Sequence, residues 1–400
     1  MYELLRGMTV VEGAAFVAGP SCALYLGQMG ARVIRFDQIG GGPDARRWPL
    51  GPNDESLYWE GLNKGKLSIA LDLRKPEGRE LAQRLAAGGD GLFVTNFPVA
   101  GFLSHETLTA LRADQITLRV MGWSDGAPAV DYTVNASVGL PYMTGPADDP
   151  RPVNHVLPAW DLLTGSYGAF ALLAAERERA SSGKGREVRI ALSDIAAASL
   201  ANLGNLAEVM LSGQDRPRSG NNLFGAFGRD FVAKDGTRFM LVAITPKQWG
   251  GMLSGLGIVE DVARLQNKLG VDFAKDEGAR YVHRAQLDPL VEAGFARFNA
   301  DELETQFVAA GVTWSRYHSL HEAVTAEPRL FTDNPVFSQI VHQGGATYPA
   351  PGSPARIPGE ERGAVRPAPR MGANTDEVLA DFLKLDSGAI GKLYDSGVVA

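Results

Sequence analysis

Cysteine is nearly absent. The 400 residues contain one, Cys22. A lone thiol excludes a disulfide framework within the chain and fits a reducing, cytoplasmic setting. Cys22 lies in an apolar stretch over 21–27, which predicts a packed thiol and not a nucleophile. Histidine is scarce as well: six residues, at 105, 155, 283, 318, 321 and 342. None has metal-ligand spacing, and His318 and His321, three apart, read as surface groups. No apolar run reaches the ~18 residues of a membrane helix. The opening Met1-Tyr-Glu-Leu-Leu-Arg6 lacks the apolar core of a signal peptide. Positive charge is not in excess either, with 39 Lys and Arg against 46 Asp and Glu and a net charge of −7. Without a basic stripe, neither nucleic acid nor a membrane is expected as a partner.

Two nucleotide signatures are also missing. No G-x-x-x-x-G-K-[ST] loop cradles a triphosphate, and the loop after the first predicted strand, Glu12-Gly-Ala-Ala-Phe-Val-Ala-Gly-Pro20, is not G-x-G-x-x-G. Asp37 ends the second predicted strand, where a dinucleotide site would hold a ribose, but the glycines argue against that use. The segment 16–20 is small and apolar and opens a helix. Its amides are placed to face an adenine or a pyrophosphate. Taken alone, it reads better as a tight strand-to-helix turn.

What is present is alternation. Strand-like runs at 8–12, 31–37, 67–73, 91–96, 115–120 and 187–192 are separated by helical patterns at 20–30, 76–87, 108–113 and 161–181. Strands joined by helical crossovers predict an α/β fold, with a doubly wound parallel sheet covered by helices on both faces. The pattern then predicts one long helix over 194–212 and a hairpin over 225–243 turning at Asp235-Gly236. Helical segments follow to about 324. A Gly- and Pro-rich surface wrap covers 344–370, and a last helix covers 375–384. The length suits more than one domain. The division expected is a large domain over 1–224, a smaller α+β domain over 225–330, and a return to the large domain over 331–400.

Read together, several segments resemble CoA-transferase family III, the group containing formyl-CoA transferase, carnitine CoA-transferase and α-methylacyl-CoA racemase. Leu5-Arg-Gly-Met-Thr-Val-Val-Glu12 with Ala18-Gly-Pro20, and Gly27-Gln-Met-Gly-Ala-Arg-Val-Ile-Arg35, look like its N-terminal signature. Asn63-Lys-Gly-Lys-Leu-Ser-Ile-Ala-Leu-Asp72, Asn96-Phe97-Pro98, and Arg370-x-Gly372 with Thr375-x-Glu377 follow in the family's order. The resemblance spans nearly the whole chain. It implies an enzyme of the transferase type, an acyl-CoA substrate that brings its own coenzyme A, no resident metal or redox cofactor, and an interlocked homodimer.

The catalytic residue the resemblance implies is Asp161, which precedes Gly183-Lys-Gly-Arg-Glu-Val188 at the family's distance. By itself an aspartate at a helix start reads as a cap. A carboxylate nucleophile at a helix N-terminus is also what this chemistry needs. The same resemblance gives coenzyme contacts at Val17 and Ala18, at Leu71, Asp72, Leu73 and Arg74, and at Asn96, Phe97 and Pro98. There are departures. Gln38 stands where formyl-CoA transferase has an arginine, and that enzyme's Gly-rich loop is not evident. Val130 stands where the racemase has its basic histidine, which argues against proton abstraction here.

Four stretches point to a narrower branch of the family: Asp131-Tyr-Thr-Val-Asn135 with Met143-Thr-Gly-Pro146, Val153-Asn-His-Val-Leu-Pro-Ala-Trp-Asp161, Asp215-Arg-Pro-Arg-Ser-Gly-Asn221, and Phe224-Gly-Ala-Phe-Gly-Arg-Asp-Phe231. That branch moves coenzyme A between the two carboxylates of one dicarboxylic acid, mesaconate, in the 3-hydroxypropionate route of carbon assimilation. A released dianion needs a cation, and arginine binds carboxylates in bidentate fashion. Arg46, Arg47, Arg218 and Arg229 fall in loops expected at the site mouth, and each reads equally as a solvated arginine. Asn135 takes the place of a polar amide in the transferases. His155 is placed to donate to a carboxylate or an oxyanion, or to be a satisfied structural histidine. Trp160 reads as packing. Other classes remain: an intermolecular transferase between an acyl-CoA and a free acid, a racemase, and an acyl-CoA binder for which Asp161 is dispensable.

Overall fold

The computed structural model describes the whole chain, Met1–Ala400, and contacts divide it into two bodies. The first comprises Met1–Val138, His155–Gly213 and Phe331–Ala400. Its centre is a six-stranded sheet of β1 (Thr9–Gly13), β2 (Arg32–Gln38), β3 (Leu67–Leu71), β4 (Leu92–Thr95), β5 (Ile116–Met121) and β6 (Arg186–Ala191). The order is β3-β2-β1-β4-β5-β6, and every adjacent pair is parallel. The runs are largely apolar, and charged residues within them, such as Glu12, Arg35 and Arg119, are buried as well, because helices cover both faces. Val10, Val11, Ile34, Ile69, Phe93, Val94, Ile116 and Leu118 are all buried.

On one face the helix Pro76–Ala86 and the C-terminal residues Val378, Leu379, Val398 and Val399 pack on Val11, Ile34, Ile69 and Phe93. On the other, the helices Ala18–Gln28 and Ala159–Ser182 pack through Cys22, Leu26, Leu172 and Ala175 on Val10, Leu92, Val94 and Leu118. Strand order reverses between β1 and β4. The crevice beyond their carboxyl ends is where ligands bind in sheets of this kind.

The second body, Gly139–Asn154 with Gln214–Leu330, holds an antiparallel sheet of β7 (Phe227–Val232), β8 (Arg238–Ala243) and β9 (Thr313–Arg316). Its core is aromatic, built around Phe227, Phe231, Phe239, Trp249, Phe273, Phe295 and Phe307. The hairpin turns at Asp235-Gly236 as the sequence predicts. Asp235 accepts from the Thr237 and Ala300 amides at 3.0 and 2.8 Å.

Several expectations differ in detail. The second body begins at Gln214 and takes in Gly139–Asn154, because Arg218 binds the carbonyls of Pro141, Tyr142, Asp149 and Arg151 and ties the two stretches together. The helix expected over 194–212 is two, Leu192–Asn202 and Asn205–Ser212, bent by 67° at Gly204, whose φ of 83° no ordinary helical residue adopts. No single helix is long and apolar enough to cross a membrane. The surface wrap contains a hairpin, Phe337–Val341 with Thr347–Pro351. The last helix is Ser387–Asp395. The segment before it is one short turn, Thr375–Glu377, running into a wider turn over Val378–Phe382.

Candidate active site

A cavity of about 1110 Å³ opens at the β1–β4 switch point, lined entirely by residues of the first body. The loop after β1 contributes Ala15 to Gly19. The turn after β4 contributes Asn96, Phe97, Pro98 and Val99. Arg47, Tyr58, Arg119, Asp131, Tyr132, Thr133, Ser137 and Asp161 supply further polar side chains, and Pro158 sits beside Asp161.

The β1 loop is held in a strained shape. Phe16 has a φ of 68°, in the left-handed region that a bulky residue seldom occupies. Its amide is fixed by both oxygens of the buried Asp44, at 2.9 and 3.0 Å. Asn96 exchanges two hydrogen bonds with the Ala15 backbone, at 3.2 and 3.1 Å, and so ties the β1 loop to the β4 turn. Arg47 lies over the rings of Phe16 and Tyr58, at 5.7 and 4.9 Å. The consequence is a fixed start for the helix Ala18–Gln28, with Val17, Ala18 and Gly19 on the cavity wall.

Asp161 is in the first turn of the helix Ala159–Ser182. Two glycines on its face bring that helix against the first one. A Cβ at Gly165 would lie 2.1 Å from Ser21 Oγ and 2.9 Å from the Ala18 carbonyl oxygen, and one at Gly168 would lie 3.3 Å from Cys22 Sγ. Close approach sets the Asp161 carboxyl against the other helix's N-terminus, where it accepts from the Ala18 amide. Burial, and then the charge of Asp131, push the Asp161 carboxyl up to about 7. The Ala18 amide and Arg47 oppose the rise. A carboxyl that ionises near neutrality is a stronger nucleophile than an ordinary aspartate and a poorer leaving group.

Asp131 does the capping that Asp161 alone seemed suited to do. It is 1% exposed. Its Oδ2 accepts from the amides of Trp160 and Asp161 at 2.7 and 3.2 Å, and its Oδ1 meets His155 Nε2 at 2.6 Å. Asp161 is thereby released from the capping role.

The other predicted site residues separate clearly. Val17, Ala18, Asn96, Phe97, Pro98, Arg47 and Asp161 line the cavity. Leu71, Asp72, Leu73 and Arg74 do not. Leu71 is buried in the sheet, and Asp72 binds Gln38 and Arg74 beside the chain's C-terminal residues. Arg46 borders a smaller cavity of about 360 Å³ with Trp59 and Met371. Asn135 accepts from the indole of the buried Trp160 at 3.1 Å, which explains both residues as packing around the nucleophile helix. His155 pairs with Asp131. In the second body Arg218 is spent on four backbone carbonyls, and Arg229 on Asp288 and Glu292 at 2.8 and 3.2 Å.

The cavity has one other arginine, Arg119. It is consumed by the carbonyls of Phe97, Pro98 and Leu103 and by Glu187 at 2.7 Å, and so it shapes the β4 turn. Arg47 is therefore the lining arginine with no carboxylate partner of its own. Tyr58 was not singled out from the sequence. Its hydroxyl is buried, makes no hydrogen bond within the protein, and is pushed up by burial so that it stays protonated. It is a donor left for a bound molecule. The signal that could have found this corner is glycine at four and seven residues after Asp161, one helical face with no side chains.

Known proteins agree with this architecture. The sequence pattern of CoA-transferase family III matches residues 5–375. The chain is 46% identical to 2-methylfumaryl-CoA isomerase of Chloroflexus aurantiacus, covering 100% of this chain and 98% of that one. It is 28% identical to succinyl-CoA–D-citramalate CoA-transferase of the same bacterium, over 99% and 98%. It is 26% identical to the mouse succinyl-CoA:glutarate CoA-transferase, over 99% and 90%. Among solved structures, a CAIB/BAIF family protein from Brucella suis superposes with a TM-score of 0.76 at 26% identity, over 94% of this chain and 98% of that one.

Proposed function

The chain belongs to CoA-transferase family III, and from that premise we propose that it moves coenzyme A between the C1 and C4 carboxylates of mesaconate, the reaction named for its 46% identical relative, through an aspartyl-CoA thioester on Asp161. The observation that carries the chemistry is the Asp161 carboxyl, half-buried on the cavity wall, freed from capping by Asp131 and set against the Ala18 amide.

A carboxylate oxygen of Asp161 attacks the thioester carbonyl. The C–S bond breaks, and a mixed anhydride and a thiolate result. The thiolate attacks Cγ of Asp161 and expels the C1 carboxylate, which leaves mesaconate as a dianion beside an aspartyl-CoA thioester. The C4 carboxylate then attacks Cγ, the thiolate departs, and it returns to the C4 carbonyl to free Asp161. Bonds made and broken balance without water, redox change or net proton transfer, and coenzyme A enters and leaves with the substrate.

Each tetrahedral intermediate at Cγ places charge on an oxygen. The Ala18 amide, already bonded to that carboxyl, is in position to hold it. Arg47 supplies the positive charge that the dianion needs, and the Tyr58 hydroxyl supplies a donor beside it. Retention of the released acid through its turn-around separates this reaction from transfer to a free acid. The same proposal includes the homodimer that the family resemblance implies.

The test incubates mesaconyl-C1-CoA with pure enzyme and isotope-labelled free mesaconate and follows the esters by mass spectrometry. Unlabelled C4 ester is the expected product. Label in the product makes the enzyme an intermolecular transferase. If neither ester changes while other CoA donors and acids react, the substrate is wrong.

A further inference from the structure

Nothing in the reaction above uses His155, yet the fold places it with care. Its Nε2 lies 2.6 Å from Asp131 Oδ1. Its ring is fixed edge-on to Tyr132 at 5.9 Å and tilted against the buried Trp160 at 6.2 Å. The carboxylate it binds is the one whose other oxygen holds the Trp160 and Asp161 amides. A histidine, a buried carboxylate and the first turn of the nucleophile's helix thus form one continuous chain of hydrogen bonds. We propose that His155 is a positioning residue of the transfer: through Asp131 it holds the N-terminus of the nucleophile helix and sets how much negative charge Asp161 feels. The inference rests on the reading of Asp161 as the nucleophile.

The physical argument runs from the acceptor count. A carboxylate has two oxygens and about four acceptor positions. Asp131 fills two on Oδ2 with backbone amides and one on Oδ1 with His155. An imidazole N–H donated at 2.6 Å draws charge toward the outer oxygen, away from the Asp161 side. Without it, the full charge of Asp131 bears on Asp161 across a partly desolvated gap, and the carboxyl is harder to ionise. The groups facing Asp161 are Asp131 on its own side, the Ala18 amide from the first helix, and Arg47 and Tyr58 from the loop and helix after β2. Asp131, Tyr132 and Trp160 pack against His155. Asp131 is therefore the group through which His155 reaches the nucleophile. The histidine is partly exposed, with 25% of its side chain accessible.

The experiment uses the full-length enzyme with His155→Ala, His155→Gln, Asp131→Asn and Asp161→Asn. Two readouts are taken: the acid limb of kcat/KM against pH, and the titration of the Asp161 carboxyl by carbon NMR on aspartate-labelled protein, assigned by its loss in Asp161→Asn. Asp161 acts as a carboxylate, so a harder ionisation moves the acid limb to higher pH. His155→Ala is expected to move it up by roughly half to one pH unit, which lowers the rate about three- to ten-fold on the acid side and little at pH 9. His155→Gln keeps a neutral donor and is expected to recover most of the shift. Asp131→Asn removes the charge, keeps one oxygen for the Trp160 and Asp161 amides, and is expected to move the limb down. A merely structural histidine would lower the rate evenly and leave both titrations in place, which overturns the inference. An active Asp161→Asn overturns the underlying reading instead. If His155→Ala fails to fold, His155→Gln is expected to stay near the parent limb while Asp131→Asn moves below it, and a downward movement of both together sinks the proposal.

Discussion

Two groups of buried carboxylates meet at the loop after β1, and they are built on opposite plans. Behind the loop, Glu12, Asp37 and Asp44 face Arg35 and Lys66. Arg35 contacts Glu12 at 2.9 Å, Asp37 at 2.8 Å and Asp44 at 3.2 Å, and Lys66 contacts Glu12 at 2.6 Å. Asn63 and the Pro20 carbonyl take up the donors that remain. In front of the loop, Asp131 and Asp161 stand together with amides, one histidine and the more distant Arg47. Burial alone does not mark a functional charge, since Asp131 is as buried as Glu12, Asp37 and Asp44 and Asp161 is half-buried beside it. What separates them is compensation. Carboxylates matched by cations hold a scaffold. A carboxylate set beside another carboxylate is costly to ionise, and it persists where chemistry uses it.

The largest effect expected is from Asp161→Asn, which should lower transfer by three or more orders of magnitude in a coupled assay of CoA-ester interconversion. It should also stabilise the protein. With its carboxyl pushed up to about 7 from an ordinary 3.8, the folded chain holds a proton that the unfolded chain releases between those two values. Parent stability from this group therefore falls as pH rises from about 4 to 7, and above that it is flat. The melting temperature of Asp161→Asn should exceed the parent's at pH 8, by about 1–3 kcal/mol in stability, with the gain fading toward pH 4. A gain over the parent of the same size at both pH values would remove the contrast drawn above.

The paired cluster should respond in the reverse way. Arg35→Met leaves Glu12, Asp37 and Asp44 without their shared cation, and denaturant unfolding should show a loss of about 3–5 kcal/mol. Arg47→Met should be milder and confined to function. It breaks no ion pair within the protein, so the melting temperature should hold. A charged contact to a substrate carboxylate is lost, so kcat/KM should fall roughly 30- to 100-fold, about 2–3 kcal/mol.

The sequence reveals the scaffold better than the site, and the residues show why. The six parallel strands are short, mostly apolar runs set between helical patterns, and that alternation finds them. Asp161 and the loop residues Val17, Ala18 and Asn96 are found because motif and position coincide. Arg218 and Arg229 mislead because an arginine, whether in a loop or, like Arg229, within β7, carries no mark of its partners. One is bound to carbonyls of a segment some seventy residues earlier, the other to acids on a helix some sixty residues later. Tyr58 is missed because an unpaired hydroxyl is a property of the folded neighbourhood. Asp131 is seen only as part of a motif, since its job depends on a helix that begins at Ala159. The helix bend at Gly204 and the hairpin over 337–351 are missed because a single glycine, and prolines in an edge strand, are compatible with more than one local structure.

The smallest effect is the most informative about how the two groups are joined. Asp44 belongs to the paired cluster, yet both its oxygens are turned to the Phe16 amide, the strained residue that begins the site. Asp44→Asn keeps one acceptor for that amide and loses the charge facing Arg35, which still has Glu12 and Asp37. A stability loss of about 1 kcal/mol is expected from the weakened hydrogen bond. If strain at Phe16 serves to aim the Ala18 amide at Asp161, the rate should fall by more than stability alone accounts for, roughly ten-fold at a temperature where the variant is fully folded. Phe16→Gly, in the same background, relieves the left-handed strain and loosens the loop. It should lower the rate further without destabilising the fold in proportion. A rate that follows stability in both variants would make the loop a passive connection, and the paired cluster would then be scaffold alone.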